Sequence, residues 1–147
     1  DLYYGTLRSE IDKITEKGNN VIFDVDVVGG LNIKKQYGDR ALALFIAAPS
    51  VEELHRRLKG RATDTDEMIA KRVGKADFEM TFAPDFDFIV VNDNLEKAKK
   101  EAESIVRKFI FYKILIFNSS HLNENCFIFR FVQSCAFRTH QPWQIFD

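Results

Sequence analysis

Two aspartates interrupt an apolar run. Residues 21–30 read VIFDVDVVGG, where Val21, Ile22, Phe23, Val25, Val27 and Val28 surround Asp24 and Asp26. The hydrophobes fit a buried β-strand over 21–28 that stops at Gly29-Gly30. Positions two apart on a strand project from one face, so the two carboxylates are expected side by side. Carboxylates that close repel unless a cation or a hydrogen-bond donor lies between them. Mg²⁺ with its waters, an arginine, or a base bearing N–H groups would serve. The bland alternative is a strand-end pair satisfied by backbone amides or a surface lysine.

A second constellation lies in RRLKGRATDTDEMIAKR, residues 56–72, which carries Arg56, Arg57, Arg61 and Arg72 around a polar turn. A helix–loop–helix hairpin could bring three of these guanidiniums onto one polyanion, because the planar fork of arginine matches phosphate oxygens. The alternative is a solvated helix face with arginines paired to Glu52, Glu53 or Glu67. YYGT, residues 3–6, adds tyrosine and threonine hydroxyls next to a glycine that allows close backbone approach. Asn92, at the end of VVND, could read a base edge or cap the next helix. His55, His121 and His140 have no metal-ligand spacing, and no Ser/His/Asp arrangement can be drawn.

These groups need elements to position them. Leu7, Ile11 and Ile14 recur at helical spacing in a segment that ends at Gly18. ALALFIAAP, residues 41–49, is a second buried-type strand stopped by Pro49, and FDFIVVND, residues 86–93, is a third. Ser50 with Glu53 and Asp64 with Glu67 read as capping boxes that open helices, the first closing at Gly60. Asp93 with Glu96 opens a further helix, with an apolar stripe of Leu95, Ala98, Ala102, Ile105 and Phe109. Strands alternating with helices, each strand apolar on both faces, imply a parallel α/β sheet covered by helices on each side. Ligands of such sheets bind beyond the carboxyl ends of the strands, where Asp24 and Asp26 fall.

The chain has 147 residues, 46% hydrophobic and 29% charged, with a net charge of −1. That is enough for one domain with a real core. It gives no bulk electrostatic reason to expect nucleic acid or a membrane surface as a partner. No apolar run approaches the length of a membrane span, and the N-terminus shows no basic segment followed by an apolar stretch. There is no initiator methionine, as expected for a chain that begins inside a larger protein. Cys126 and Cys135 lack Cys-x-x-Cys spacing, so a cytoplasmic, disulfide-free protein is expected. Composition shifts near residue 110: residues 110–147 hold 5 of the 43 charged residues but 7 of the 14 phenylalanines. FIFYKILIFNSS and ENCFIFRFVQSC in this tail are β-prone. The tail reads either as an extra strand pair or as sequence unrelated to the first 109 residues, as after a frameshift.

Taken in order, YYGT, VIFDVDVVGGLNIKK, RLKGRATDTDEMIAKR and FDFIVVNDNLEKA closely resemble guanylate kinase, over residues 3–109 only. The resemblance implies a P-loop nucleoside monophosphate kinase-like parallel sheet with helices on both faces. It implies transfer of the γ-phosphate of ATP to GMP, giving ADP and GDP, with Mg²⁺. By position, Tyr4, Thr6 and Asp26 would be GMP-binding, and Asp24 would hold Mg²⁺ through water. Arg57, Arg61 and Arg72 would be catalytic around the transferring phosphoryl group, and Asn92 would bind ATP beside the adenine, with Arg57 and Arg61 also on ATP. The same resemblance divides the chain into a remnant of a GMP-binding subdomain (1–20), core (21–56), lid and return helix (57–80), core (81–109) and an atypical tail (110–147).

One departure from the family is large. No Gly-x-x-x-x-Gly-Lys-Ser/Thr occurs in the 147 residues: the lone Gly74-Lys75 has Ile69 where the first glycine must be and Ala76 where Ser or Thr must be. The resemblance places that loop, and the first, central strand of the sheet, upstream of YYGT. The fold is therefore expected to be truncated, with a gap between the strands at 21–26 and 41–47, and the chain to be inactive and of low stability. The competing reading is a non-catalytic guanylate-kinase-like module that binds proteins, and a third is a structural fragment. Such modules need not keep the arginines and aspartates retained here, which favours an enzyme lineage.

Overall fold

The computed structural model describes residues 5–60, 65–117, 127–132 and 144–146. In chain order the elements are β1 (Gly5–Leu7), α1 (Arg8–Glu16), β2 (Val21–Asp24), α2 (Val27–Tyr37), β3 (Ala41–Ala47), α3 (Val51–Lys59), α4 (Asp66–Met80), β4 (Phe88–Val91), α5 (Leu95–Phe117), β5 (Phe127–Val132) and β6 (Gln144–Phe146). Four strands form one all-parallel sheet in the order β2-β5-β3-β4, and β1 pairs separately with β6.

The parallel α/β fold inferred from strand–helix alternation is the observed one. Ala41, Leu42, Ala43, Leu44 and Phe45 of β3 are all buried, as a strand covered on both faces must be. On one face Ala41, Ala43 and Phe45 join Val21, Phe23, Val27 and Ile33 in the core beneath α2, with Ile11 of α1 at its side. On the other face Leu44 and Val90 pack with Ala98, Ala102 and Ile105 of α5. Leu54 and Leu58 of α3 meet Ile69 and Ala76 of α4 in a smaller seam, so the expected helix–loop–helix hairpin is held by its own apolar contact. Asp87 ties the sheet to α2: one carboxylate oxygen accepts from the Ala43 N–H at 2.7 Å and from Lys34 Nζ at 2.8 Å. The lysine also donates to the Ala41 carbonyl at 2.7 Å.

The gap expected at the sheet centre is filled. β5, from the tail, lies between β2 and β3, parallel to both. Phe23 pairs with Phe129 and Phe129 with Ala43, so β2 and β3 bond to β5 and not to each other. The two tail strands do not pair with one another, as a simple hairpin would. They go to different sheets.

Other boundaries differ from the sequence reading for local reasons. β2 ends at Asp24 rather than Val28, because Asp26 is the N-cap of α2 and its carboxylate accepts from the Gly29 N–H at 2.7 Å. A capped helix start outweighs the β-propensity of two valines. Gly29-Gly30 therefore begins a helix instead of ending a strand. Asp64 lies outside the described residues, and the cap of α4 is Thr65, whose hydroxyl accepts from Met68 N–H. Asn94, not Asp93, caps α5, its side-chain oxygen accepting from Lys97 N–H at 3.0 Å. FIFYKILIF belongs to α5, which runs unbroken through residue 110. There, helical continuation from a well-capped start overrides the β-prone composition. Leu7 lies in β1 and is exposed, while Ile11 of the same stripe is buried.

Two changes test the role of β5. A chain ended after Phe117 is expected to lose the cooperative thermal transition of the full chain, followed by circular dichroism. Phe129→Pro removes a ladder donor from the middle strand and is expected to cost ~1–3 kcal/mol in urea unfolding. Equal transitions in all three proteins would exclude β5 from the sheet.

Candidate functional site

All four strands of the main sheet run the same way, so their carboxyl ends share one edge, and four of the eight residues expected to do chemistry, Asp24, Asp26, Asn92 and Arg57, lie at or beside it. The edge is stepped. Through β5, Asp24 is level with Leu44, whereas β3 and β4 run on in register to Ala47 and Val91. At about 3.3 Å per residue, β2 stops roughly 10 Å short of its neighbours. Asp24 sits at the bottom of that step, exposed, its side chain making no hydrogen bond or ion pair among the described residues. It shares a face with Ile22, which is also exposed, because α5 covers only the β3–β4 half of that face.

Asp26 does not stand beside Asp24 on one strand face, as strand spacing suggested. It has turned into the α2 cap, where half its acceptor capacity meets the helix N-terminus. The repulsion expected between two adjacent carboxylates is thus relieved by backbone amides on one side and water on the other. Among the described residues, no group of three or more His, Cys, Asp or Glu side chains is placed to hold a metal ion. A hydrated Mg²⁺ does not need one, since it keeps several waters and takes one or two carboxylates plus phosphate oxygens. An exposed, unengaged Asp24 at a strand end fits that requirement.

At the other end of the edge, β4 leads into a turn at Asn92 and Asp93. Asn92 donates its backbone N–H to the Ala47 carbonyl at 2.8 Å, extending the β3–β4 ladder by one bond. Arg57 reaches the same turn from α3: Nη1 donates to the Asn92 carbonyl at 2.6 Å and Nη2 to the Asp93 carbonyl at 3.2 Å. Its Nε donates to Glu53 Oε1 at 2.6 Å, one helical turn earlier. Arg56 donates to both oxygens of the same carboxylate, at 2.6 and 2.7 Å. These hydrogen bonds, from Arg56 and then Arg57, lower the Glu53 carboxyl to about 2. The pairing of Arg56 and Arg57 with Glu53 was the alternative weighed for this helix. What the sequence did not disclose is that Arg57 also grips a turn 35 residues away.

Arg72 lies half-buried on α4, three residues past Ile69 and four before Ala76, on the stripe that packs toward α3. Thr6 is half-buried in β1, paired with Ile145 of β6, outside the main sheet. Tyr4 and Arg61 fall outside the described residues. Gly74-Lys75, the only Gly-Lys pair, lies inside α4 and forms no phosphate-binding loop. Asn94 is the residue that sequence reasoning passed over. Glu53 was read as a capping partner and as one possible ion-pair partner of the arginines, but not as part of a link to the β4–α5 turn.

A parallel α/β sheet with a lone carboxylate at one strand end and an arginine-held polar turn at another defines a protein that can receive a ligand along its carboxyl edge. The family is then given by comparison: the guanylate kinase family model matches residues 1–109. Guanylate kinase from Bacteroides thetaiotaomicron is 56% identical over 110 residues, covering 75% of this chain and 54% of that protein. Guanylate kinase from Porphyromonas gingivalis is 52% identical over 110 residues, covering 75% and 58%. The chain belongs to the guanylate kinase family, and it spans a little over half the length of the curated relatives it matches. β5 and β6 lie outside the matched region. Among the described residues, no helix is long and apolar enough to cross a membrane.

Two measurements follow from this geometry. Asp26→Ala is expected to cost ~1 kcal/mol of stability through the lost cap, and Asp26→Asn only a few tenths, in urea titrations. Equal losses would mean that the charge matters more than the cap. Because the Glu53 carboxyl is depressed from 4.5 to about 2, its contribution to stability is full above pH 4.5 and is lost as pH falls toward 2. Wild type is therefore expected to exceed Glu53→Gln in urea midpoint at pH 6, with the two converging near pH 2. A constant difference across that range would refute the pairing.

Proposed function

We propose that this chain carries the phosphoryl-transfer part of a guanylate kinase, acting on ATP and GMP to give ADP and GDP in cytoplasmic purine nucleotide metabolism. The observation that carries the reading is the family match over residues 1–109, which contains all eight residues assigned to the site. Tyr4, Thr6 and Asp26 serve GMP. Asn92 stands beside the adenine, and Arg57, Arg61 and Arg72 surround the transferring phosphoryl group. Asp24 would hold Mg²⁺ through water, and the ion would supply positive charge to offset the phosphates. Segment 57–80 acts as a lid whose closure excludes water that would otherwise hydrolyse ATP.

Phosphoryl transfer depends mostly on positioning and charge neutralisation, so no general base with a shifted pKa is required. The arginines align and neutralise the phosphoryl oxygens, and Asn92 fixes the donor's base. Three strand spacings separate the ends of β2 and β4, roughly 14 Å, which is a span for an extended nucleotide rather than for a single small anion.

With no Gly-x-x-x-x-Gly-Lys-Ser/Thr in its 147 residues, the isolated chain is expected to turn over far below ordinary kinase rates of roughly 1–100 s⁻¹ in an ADP-release assay with ATP and GMP. Joined to the part of the Bacteroides thetaiotaomicron relative that it does not span, residues 1–109 are expected to gain turnover. Arg72→Met in that fusion is expected to lower kcat at least a hundredfold. Ordinary turnover by the isolated chain would overturn the inactivity, and a silent, folded fusion would overturn the lineage's chemistry in these residues.

A further inference from the structure

Arg57 makes three directed hydrogen bonds to three different residues, and only one partner lies on its own helix. A long side chain lying on two carbonyl oxygens alone would have its Nε–H and much of its rotamer freedom unconstrained. Glu53, one turn earlier on α3, takes that Nε–H and sets the plane of the fork. The two Nη groups are then aimed along the backbone of the β4–α5 turn. Glu53 is itself fixed from the other side by Arg56, which engages both of its oxygens. The Asn92 backbone is held on both sides, its N–H by Ala47 and its carbonyl by Arg57. α5 starts three residues later, at Leu95, with Asn94 as its cap.

We infer that Glu53 is a positioning residue: it clasps the Arg57 guanidinium onto the Asn92 and Asp93 carbonyls, so that α3 and the turn carrying Asn92 move as one body. Isolated surface ion pairs contribute little, but this carboxylate is half-buried, engaged by two arginines, and linked through Arg57 to a turn from a different part of the chain. The inference deepens the proposed function, because the turn it fixes is the one assigned to the adenine. A phosphate-bearing ligand that draws the Arg57 guanidinium off the two carbonyls breaks the clasp and releases the turn at the same moment. Arginine recruitment and base-site mobility are thereby one equilibrium rather than two.

The test uses the 147-residue chain without nucleotide. The arginine Nε–Hε signal of Arg57 is followed by NMR, along with amide exchange at Lys97 and Ala98 in the first turn of α5 and at Gly30 in α2 as a distant reference. Glu53→Gln is expected to speed exchange of the Arg57 Nε–H at least tenfold and of Lys97 and Ala98 several-fold, leaving Gly30 unchanged. Arg57→Lys, which keeps the charge and loses the fork, is expected to reproduce the effect on Lys97 and Ala98. An unchanged Arg57 signal in Glu53→Gln overturns the inference, as does equal acceleration at Gly30, which would mark a merely structural role. A second arm adds ATP to the wild type. A shift of the Arg57 signal with faster exchange at Lys97 supports the shared equilibrium, and ATP that moves Arg57 without loosening the turn overturns it. If ATP moves nothing while Glu53→Gln acts as expected, the nucleotide reading of the site fails and the clasp stands.

Discussion

The sheet depends on one backbone constraint: β2 and β3 lie two strand positions apart, and something must hydrogen-bond to both inner edges. The crossover through α2 fixes that separation, since α2 covers the core between the two strands. An empty position would leave two rows of N–H and C=O groups buried and unpaired, at a cost no domain of this size can carry. β5 supplies the missing partner on both sides. Every feature of the carboxyl edge follows from this. The step at Asp24, the reach of β3 and β4 beyond it, and the coverage of one face by α5 are all measured from a sheet whose middle strand is in place.

The edge itself has two unlike ends. Asp24 is exposed, and its side chain has no hydrogen bond or ion pair among the described residues. The Asn92 turn, by contrast, is tied down by the β3 ladder and by Arg57. Positive charge at that end is partly offset by Glu53, one carboxylate between two guanidiniums, and that carboxyl is held far below its ordinary range. Electrostatically the edge therefore runs from an exposed carboxylate to a carboxylate shared by two arginines.

Much of this could be read from the residues. Apolar strands alternating with capped helices specified a parallel α/β sheet, and β3 and β4 lie where the runs at 41–49 and 86–93 placed them, but β4 is an edge strand with Phe88, Ile89 and Val91 exposed rather than the buried-type strand its composition suggested. Ser50 caps α3 as its spacing with Glu53 foretold. Where the reading failed, two local preferences competed and the sequence did not say which would prevail. At VIFDVDVVGG the alternation of valines favours a strand, but Asp26 gains more by accepting from Gly29 N–H, and the helix starts there. In the tail, FIFYKILIF is β-prone in composition but follows a helix already under way. The placement of β5 and the grip of Arg57 on the Asn92 turn were illegible for a different reason. Both join residues far apart in the chain, and no periodicity or cap encodes a long-range partner.

The position of β5 also governs when the fold can form. Strands β2 and β3 leave the ribosome early, yet the segment that joins them is more than eighty residues further on. Until it emerges, β2 has no ladder partner and the apolar faces beneath α2 have no complete sheet to rest on. At translation speeds of ~5–20 residues per second, that interval lasts several seconds, long compared with local helix formation. Assembly is accordingly an event of high contact order, in which a strand made later threads between two strands made earlier. The fold is most exposed to aggregation during synthesis, and its helices are ready well before the sheet they are meant to cover.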